Sequence, residues 1–260
     1  MVMNSEKIYV VPDVHGRQFW HDVEKIDDYD KIIFLGDYVD PYPHEGVKSE
    51  EGLKCLKEII QFAKDHENVV LLMGNHDSTY MISRYICECR TDYDNFQEIQ
   101  DTFLGNKDMF KLAYYAETEY GPVMFTHAGL FSNWIEDACG DINPEDRNGD
   151  HVANMLNEKF SELLTAVADE KERKNIRLND LYRNLGVVSH YRGGWTSHGS
   201  CIWSDIREHV GEVTDLPFFQ VVGHTMLEKG EIVKLEHIAC VDSQKVWKLS
   251  EIYEAPLSIK

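Results

Sequence analysis

Residues 7–16 read KIYVVPDVHG, a short apolar run that leads into a turn with metal-ligand side chains. The run at residues 7–11 is continuously apolar and rich in β-branched residues, which favours a strand buried on both faces. The turn that follows contains Asp13, His15 and Gly16. Carboxylate and imidazole groups are common ligands for Zn, Mn and Fe. A single Asp-x-His triplet is a weak signal, because most such triplets are ordinary turns.

The same pairing of an apolar run with a polar turn occurs five times along the chain. The further runs are residues 31–35 (KIIFL), 69–73 (VVLLM), 123–126 (VMFT) and 218–222 (FFQVV). Between the second and third runs, residues 49–64 place apolar side chains at helical spacing, and Ser49, Glu50 and Glu51 suit a helix N-terminus. Strand, helix and strand in this order predict a right-handed parallel crossover.

The middle of the chain differs from this pattern, because residues 141–184 are predicted to be helical. Asp150 is placed to cap a helix there, and an apolar stripe follows it. The stripe consists of Val152, Met155, Leu156, Phe160, Leu163, Leu164 and Val167. Strands are expected again at residues 232–238, 239–242 and 246–253. We predict a single α/β domain over residues 1–260, with residues 141–184 as a helical insertion packed over the sheet.

Each predicted strand is followed by side chains that bind metals or transfer protons. In open α/β sheets, ligands bind beyond the carboxyl ends of the strands. The motifs in order are DVHG, GDYVD, GNHD, a strand-end histidine and GHT. They supply Asp13, His15, Asp37, Asp40, Asn75, His76, His127 and His224. Each motif alone is a common turn, but five such strand ends in one chain indicate a shared metal site.

Side chains of these types suit two divalent cations close together. One carboxylate can bridge a pair of ions about 3.5–4 Å apart, so few groups are needed. Two ions on one phosphate stabilise its attacking and leaving oxygens, and they lower the pKa of a bound water towards about 7. The pattern therefore predicts a site for two ions of Mn, Fe or Zn that hydrolyses a phosphate ester.

The five motifs, in this order, resemble the calcineurin-like metallophosphoesterase superfamily. The closer likeness is to its phosphoprotein-phosphatase branch, which includes bacterial-type serine/threonine phosphatases and dinucleoside polyphosphatase relatives and carries GDxVDRG and GNHE. The resemblance spans residues 8–242, with residues 141–184 outside any motif. It implies a β-sandwich of two mixed sheets flanked by helices, in four layers.

The resemblance also implies a role for each site residue. Asp13 and His15 would bind one ion, and Asp37 would bridge the two. The second ion would be held by Asn75, His127 and His224. His76 would be the general acid that protonates the leaving oxygen, and Asp40 would orient His76 and support its charge.

The sequence departs from the family pattern at several positions. Pro12 stands where the family has a glycine before Asp13, and Asp77 replaces a glutamate. Pro41 and Met73 stand where arginines are common, and arginines there would bind the substrate phosphate through two hydrogen bonds.

Other arginines are candidates to replace the missing phosphate contacts. Arg17 follows the DVHG turn, but we favour Arg207 and Arg192 as the phosphate-binding residues. Both lie near residues 191–203, a glycine-rich segment with two tryptophans. We expect Trp195 and Trp203 to be core aromatic residues, the alternative being that this segment stacks on a ring or a peptide.

Three functions remain open on the sequence alone. The first is hydrolysis of phosphate monoesters, in the manner of a serine/threonine-protein phosphatase, by a hydroxide that bridges the two ions. The second is hydrolysis of nucleotides or dinucleoside polyphosphates. The third is a non-catalytic metal-binding module that recognises phosphate, which would not need a general acid such as His76.

Composition narrows the partners and the location. The formal net charge of −20 over 260 residues argues against a nucleic-acid backbone as partner, because that interaction needs a basic surface. No stretch of eighteen apolar residues is present, so no membrane span is expected. Six scattered cysteines and an N-terminus without a signal-peptide pattern predict free thiols in the cytoplasm. The expected partner is a phosphorylated protein, nucleotide or small ester.

Overall fold

The run at residues 7–11 forms the second strand of a five-stranded sheet. A computed structural model describes residues 7–82, 89–140, 148–169, 175–212 and 214–258. The first sheet consists of β1 (Ile8–Val11), β2 (Lys31–Phe34), β3 (Val69–Leu72), β4 (Phe110–Lys111) and β10 (Trp247–Lys248). Its order is β10-β1-β2-β3-β4, with β1 to β4 parallel and β10 antiparallel to β1.

A second five-stranded sheet packs face to face against the first. It consists of β5 (Ala113–Thr118), β6 (Gly121–Thr126), β7 (Phe219–Val222), β8 (Val233–Lys234) and β9 (Ile238–Cys240), in the order β5-β6-β7-β9-β8. Its centre is parallel, because β7 pairs in parallel with both β6 and β9. The two outer strands are antiparallel to their neighbours. Both sheets are therefore mixed.

The central strands of both sheets are buried on both faces. In β1, Ile8 and Val10 join a cluster between the sheets, together with Val123 and Phe125 of β6. The alternate residues Tyr9 and Val11 belong to a separate cluster. Side chains alternate between the two faces of a strand, so a continuously apolar run is what a strand covered on both sides requires.

Helices flank the two sheets. They are α1 (Ser49–Asp65), α2 (Asn75–Met81), α3 (Phe96–Leu104), α4 (Ser132–Cys139), α5 (Gly149–Ala168), α6 (Asp180–Leu185) and α7 (Leu249–Glu254). Helix α1 joins the parallel strands β2 and β3 as predicted, and α5 packs on β5 and β6. The predicted fold, two mixed sheets flanked by helices, is confirmed.

The predictions of strands near the C-terminal end are wrong in part, and two strands were missed. Residues 232–242 were predicted as two strands and form strand only at Val233–Lys234 and Ile238–Cys240. Residues 246–253 form only the two-residue strand β10, and α7 then begins at Leu249. The Glu251 side chain accepts a hydrogen bond of 2.8 Å from the Lys248 N–H, which stabilises the start of the helix, and Leu249 and Ile252 pack inward at helical spacing. Strands β4 and β5 were not predicted, because neither is a continuous apolar run.

The predicted helical segment contains α5 and α6 in its described part. Residues 141–147 and 170–174 of it lie outside the described residues. Asn148 caps α5 by accepting a hydrogen bond from the His151 N–H at 2.9 Å, so the prediction that Asp150 caps it is wrong. The description of residues 141–184 as an insertion in a single domain stays a prediction. Within the described ranges, no helix is both long and apolar enough to cross a membrane.

Candidate metal centre

The polar turns after β1, β2, β3, β6 and β7 meet at one edge of the sandwich. Six predicted ligands come together there, and each is at most 8% exposed. They are Asp13, His15, Asp37, Asn75, His127 and His224. They converge because β1, β2 and β3 run in parallel, as do β6 and β7, so their carboxyl ends share an edge.

Two groups of side chains in this cluster are arranged to hold a cation. One consists of Asp13, Asp37, His127 and His224, and the other of His15, Asp37 and His76. Within each group, the ligand atoms lie within 4.8 Å of one another. Asp37 belongs to both groups. The Asn75 Oδ1 atom lies 3.0 Å from His127 Nε2, which places it beside the first group.

The histidines present lone pairs to the centre of the cluster. The Nδ1 atoms of His15 and His127 lie 2.8 and 2.9 Å from the carbonyl oxygens of Val39 and Leu35, which assigns the proton to Nδ1. Burial lowers the pKa of both histidines, so both are neutral and Nε2 carries a lone pair. A carbonyl partner on the far ring nitrogen is typical of metal-binding histidines.

These lone pairs face other acceptors, and a cation would resolve the conflict. His127 Nε2 lies 3.1 Å from His224 Nδ1 and 3.6 Å from Asp37 Oδ2, in addition to the Asn75 contact. His15 Nε2 lies 3.5 Å from the same Asp37 oxygen. Among the residues that the structure describes, the buried Nε2 of His224 finds no hydrogen-bond partner. The donor set of imidazole, carboxylate and amide oxygen suits Mn, Fe or Zn.

The carboxylates of the cluster also favour a bound cation. Burial raises the pKa of Asp37 well above its usual value, and the charges of Asp13 and Asp77 raise it further. Asp242, a site residue that sequence reasoning missed, follows β9 and is 5% exposed. Burial and the nearby charge of Asp13 raise its pKa as well. Divalent cations would offset this concentration of negative charge.

The backbone of the cluster is held in an unusual conformation. His15, Asp37, Asp40 and His224 all have φ between 46° and 64°, a region that non-glycine residues rarely adopt. Such conformations persist only where surrounding contacts enforce them, and they concentrate at functional sites.

Asp77 is one of the groups that enforce this geometry. Its side chain accepts hydrogen bonds from the N–H groups of Asp37, Tyr38 and Gly74 at 2.7, 3.0 and 2.9 Å. It therefore joins the turn after β2 to the start of α2. Burial raises the pKa of Asp77, and the three N–H donors oppose that shift. The short carboxylate that replaces the family glutamate thus positions the backbone of Asp37.

Glycines in the motifs make room for the two central carboxylates. A Cβ atom on Gly223 would overlap Asp13 Oδ1, and one on Gly74 would overlap Asp37 Oδ1. Both Asp13 oxygens accept a hydrogen bond from the His224 N–H, at 3.0 and 3.1 Å. A side chain at position 223 must therefore displace the Asp13 carboxylate.

We expect Gly223→Ala to weaken Mn²⁺ binding by about 10- to 100-fold, the range seen when groups that orient metal ligands are lost. Isothermal titration calorimetry on the metal-free protein measures this affinity. Gly211→Asn is the control, because Gly211 has φ +76° and open space around its Cβ position, a conformation that asparagine tolerates. Unchanged Mn²⁺ affinity in Gly223→Ala would contradict the placement of Asp13 in the metal site.

His76 and Asp40 form a buried pair at the edge of the cluster. His76 Nδ1 lies 2.8 Å from Asp40 Oδ2. The other carboxylate oxygen of Asp40 accepts from Tyr80 Oη at 2.5 Å and from the Asp92 N–H at 3.0 Å. Burial lowers the pKa of His76, but its hydrogen bonds with Asp40 and Cys89 outweigh this and raise it to about 9. In the absence of metal, Nε2 therefore carries a proton at neutral pH.

The two arginines favoured from the sequence lie on opposite sides of one buried carboxylate. The Arg192 Nε and Arg207 Nε atoms lie 2.8 and 2.7 Å from the two oxygens of Asp205, which is 1% exposed. Arg192 Nη2 also donates to the His224 carbonyl at 3.1 Å, so Arg192 adjoins the metal cluster. Arg207 extends towards the surface, where its side chain is 58% exposed.

Arg17 is also engaged, because its Nε and Nη2 atoms bind both oxygens of Glu45 at 2.7 and 2.8 Å. Trp203 is buried as predicted. Trp195 is 98% exposed, so the prediction that it is a core residue is wrong. No motif flagged Arg90, which lies beside His76 and Asp40.

The fold and this site together define a metal-binding α/β sandwich protein. The family model for calcineurin-like phosphoesterases matches residues 6–231. The chain belongs to the calcineurin-like phosphoesterase family. Membership is consistent with hydrolysis of phosphate esters and with divalent metal cofactors.

One solved structure similar to this chain is a cold-active protein-tyrosine phosphatase of a psychrophilic Shewanella species. The identity is 19%, over 92% of this chain and 72% of that chain, with a TM-score of 0.41. A similarity this low carries no information about the reaction. No curated protein sequence matches the chain.

Proposed function

We propose that this protein hydrolyses phosphate monoesters with the help of two divalent metal ions, Mn, Fe or Zn. The observation that supports this most strongly is the buried His76–Asp40 pair beside a cluster in which Asp37 belongs to two ligand groups. Metal binding alone needs no proton donor. A protonated imidazole next to the cluster is useful where a leaving oxygen must receive a proton.

In this proposal, each side chain of the cluster either binds a metal ion or takes part in proton transfer. As the family resemblance implies, Asp13 and His15 would hold one ion and Asp37 would be shared, although Asp13 also lies within reach of His127 and His224. The other ion would be held by Asn75, His127 and His224. When bound, the ions would supply positive charge for the phosphate oxygens and would acidify a water molecule. Asp40 orients His76 through Nδ1, which leaves Nε2 as the atom that gives its proton to the leaving oxygen.

Turnover of para-nitrophenyl phosphate tests this proposal. We expect release of nitrophenol by the protein loaded with Mn²⁺, and loss of that activity when a chelator removes the metal. Fe²⁺ and Zn²⁺ are tried in parallel, because the donor set accommodates all three metals. A folded protein that hydrolyses no aryl phosphate with any of these ions would contradict the proposal.

A second candidate is hydrolysis of nucleotides or dinucleoside polyphosphates, and the exposed aromatic residues in the segment that carries Arg192 favour it. Trp195 is 98% exposed and Tyr191 is 41% exposed, in the segment that also carries Arg192. Exposed aromatic faces of this kind can stack on a nucleobase. A substrate panel of phosphopeptides, mononucleotides and dinucleoside polyphosphates, compared by kcat/KM, separates the two candidates. Trp195→Ala should lower kcat/KM for nucleotides alone if the base stacks there.

A further inference from the structure

The proposed reaction needs a cationic group for the substrate phosphate, and the usual one is missing at position 41. Pro41 follows Asp40 directly, where an arginine would reach the phosphate. Arg17, Arg192 and Arg207 are each bound to a carboxylate, as described above. An arginine already paired with a carboxylate must give up that partner, in part or whole, before it can bind a second anion.

Arg90 is placed differently. Its side chain reaches the backbone beside position 41, where the family arginine would stand. Its Nε atom donates to the carbonyl oxygen of Asp40 at 3.1 Å, and Nη2 donates to the same oxygen. That carbonyl belongs to the peptide bond that joins Asp40 to Pro41. The guanidinium group is thus anchored beside position 41 although it comes from fifty residues further along the chain.

The guanidinium group is also fixed in orientation by an aromatic ring. Its central carbon lies 3.8 Å from the centroid of the Tyr42 ring. A planar guanidinium group stacked on a tyrosine keeps its N–H edges free while losing little further entropy on binding. The Tyr42 ring in turn contacts the His15 ring, with centroids 5.0 Å apart. Arg90 therefore lies on the His15 side of the cluster.

The backbone around Arg90 is tied to the proposed proton donor. The carbonyl oxygen of Arg90 lies 3.0 Å from His76 Nδ1, and the Asp92 N–H donates to Asp40 Oδ1 at 3.0 Å. These two contacts join the segment to the His76–Asp40 pair. A group positioned in this way is preorganised, so binding to it costs little rearrangement.

The charge of Arg90 is available for an anion. Within the described part of the chain, Arg90 forms no ion pair with a carboxylate, although the formal net charge is −20. The guanidinium group also forms a hydrogen bond with the Tyr42 hydroxyl. Nη1 is not engaged by the Asp40 carbonyl, and the residue is partly exposed. A free guanidinium edge offers parallel N–H groups that match two oxygens of a phosphate.

We propose that Arg90 is the phosphate-binding arginine of this site and replaces, from a separate segment, the arginine absent at position 41. This inference rests on the proposed function, because it assigns the group that holds the substrate phosphate. Arg90 would bind the phosphate on the His15 side, with Tyr42 and the Asp40 carbonyl holding the guanidinium group in place.

Binding of inorganic phosphate to the protein loaded with Mn²⁺ tests the proposal without requiring turnover. We expect Arg90→Met to raise the phosphate Kd by about 10- to 100-fold, the usual effect of losing a charged hydrogen-bonding pair. Arg90→Lys should lose less phosphate affinity than Arg90→Met, because lysine keeps the positive charge although it lacks the paired N–H groups. Arg183→Met is the control, because Arg183 is an exposed residue paired with Asp180 on α6.

Two further measurements make the result decisive. Mn²⁺ affinity should be unchanged in both Arg90 variants, and both should still unfold in one cooperative transition well above the assay temperature, which excludes a general loss of structure. Arg192→Met and Arg207→Met are measured alongside. The proposal is overturned if Arg90→Met binds phosphate within about twofold of the parent protein, if either rival variant loses more, or if the parent protein binds no phosphate.

The outcomes separate this inference from the proposed function. Phosphate binding that depends on Arg90, without turnover of any ester, would support the inference and contradict the proposed hydrolysis. Turnover that persists in Arg90→Met with an unchanged KM would contradict the inference and leave the hydrolysis standing.

Discussion

Replacing His76 with alanine should lower kcat for aryl phosphate hydrolysis by about 10²- to 10⁴-fold, the range for loss of a general acid. The reason is that the other described histidines of the cluster, His15, His127 and His224, have pKa values lowered by burial, whereas His76 is paired with a buried carboxylate and has a raised pKa. Steady-state kinetics with Mn²⁺ measures the effect, and Mn²⁺ affinity is measured in parallel because His76 also lies within one ligand group. His151→Ala is the control, since His151 is exposed on α5.

An unchanged rate in His76→Ala would contradict the role of His76 and favour a module that binds metal and phosphate without catalysis. A rate loss that follows entirely from lost Mn²⁺ affinity would make His76 a ligand and not an acid. Because the general acid acts on the leaving group, the loss should be smaller for para-nitrophenyl phosphate than for an alkyl phosphate with a poorer leaving group.

The pKa of His76 gives the same assignment a separate test. In the metal-free protein, burial lowers the pKa of His76. The hydrogen bonds with Asp40 and Cys89 have a larger, opposite effect and raise it to about 9. Its protonation therefore stabilises the fold below about pH 6.5, and this contribution is lost as pH rises through about 9. Asp40→Asn should lower the pKa of His76 by about 1 to 3 pH units, which NMR titration of the metal-free protein can follow.

Asp37→Asn should remove most of the stabilisation that Mn²⁺ gives to the protein. At a free Mn²⁺ concentration of 100 times Kd, one bound ion raises the free energy of unfolding by about 2.7 kcal/mol. For a chain of this size that corresponds to roughly 5–10 °C in Tm. Because Asp37 belongs to both ligand groups, its loss should affect every ion in the cluster. Thermal melting with and without Mn²⁺ measures the effect.

Without metal, Asp37→Asn should leave the free energy of unfolding unchanged or raise it slightly. The pKa of Asp37 is raised by burial and by the charges of Asp13 and Asp77, so its ionised form destabilises the fold. The folded state then binds more protons than the unfolded state from about pH 4 up to the raised pKa, and stability falls as pH rises across that window. Asp37→Asn should lack this decline, while its amide oxygen can still accept the His76 N–H at 2.9 Å.

Asp108→Asn is the matched control, because the Asp108 side chain is 83% exposed on the surface. It should change neither the Mn²⁺ effect nor the pH dependence. An Asp37→Asn protein that Mn²⁺ stabilises as strongly as the parent would show that Asp37 is not a shared ligand.

Much of the fold and of the candidate ligand set could be predicted because each signal is local. An apolar run such as KIYVV must be buried on both faces wherever it lies in the fold. The turn that follows it in the chain carries Asp13 and His15, so their positions relative to the strand are set locally. The strand predicted at residues 246–253 was wrong for the opposite reason. Its apolar residues suit either a strand or a helix. The Glu251 side chain accepts a hydrogen bond from the Lys248 N–H, and this contact stabilises the start of a helix.

The sequence by itself determined which strand ends carry ligand-type side chains, because motif and strand are neighbours in the chain. Only the tertiary structure decided that Arg192 and Arg207 share Asp205, that Trp195 lies on the surface and that Asp242 adjoins Asp13. It also brought Arg90 to the carbonyl of Asp40. The proximity of Asp242 to Asp13 and of Arg90 to Asp40 joins segments that are far apart in sequence, and the packing of a whole domain, which no local pattern encodes, sets these distances.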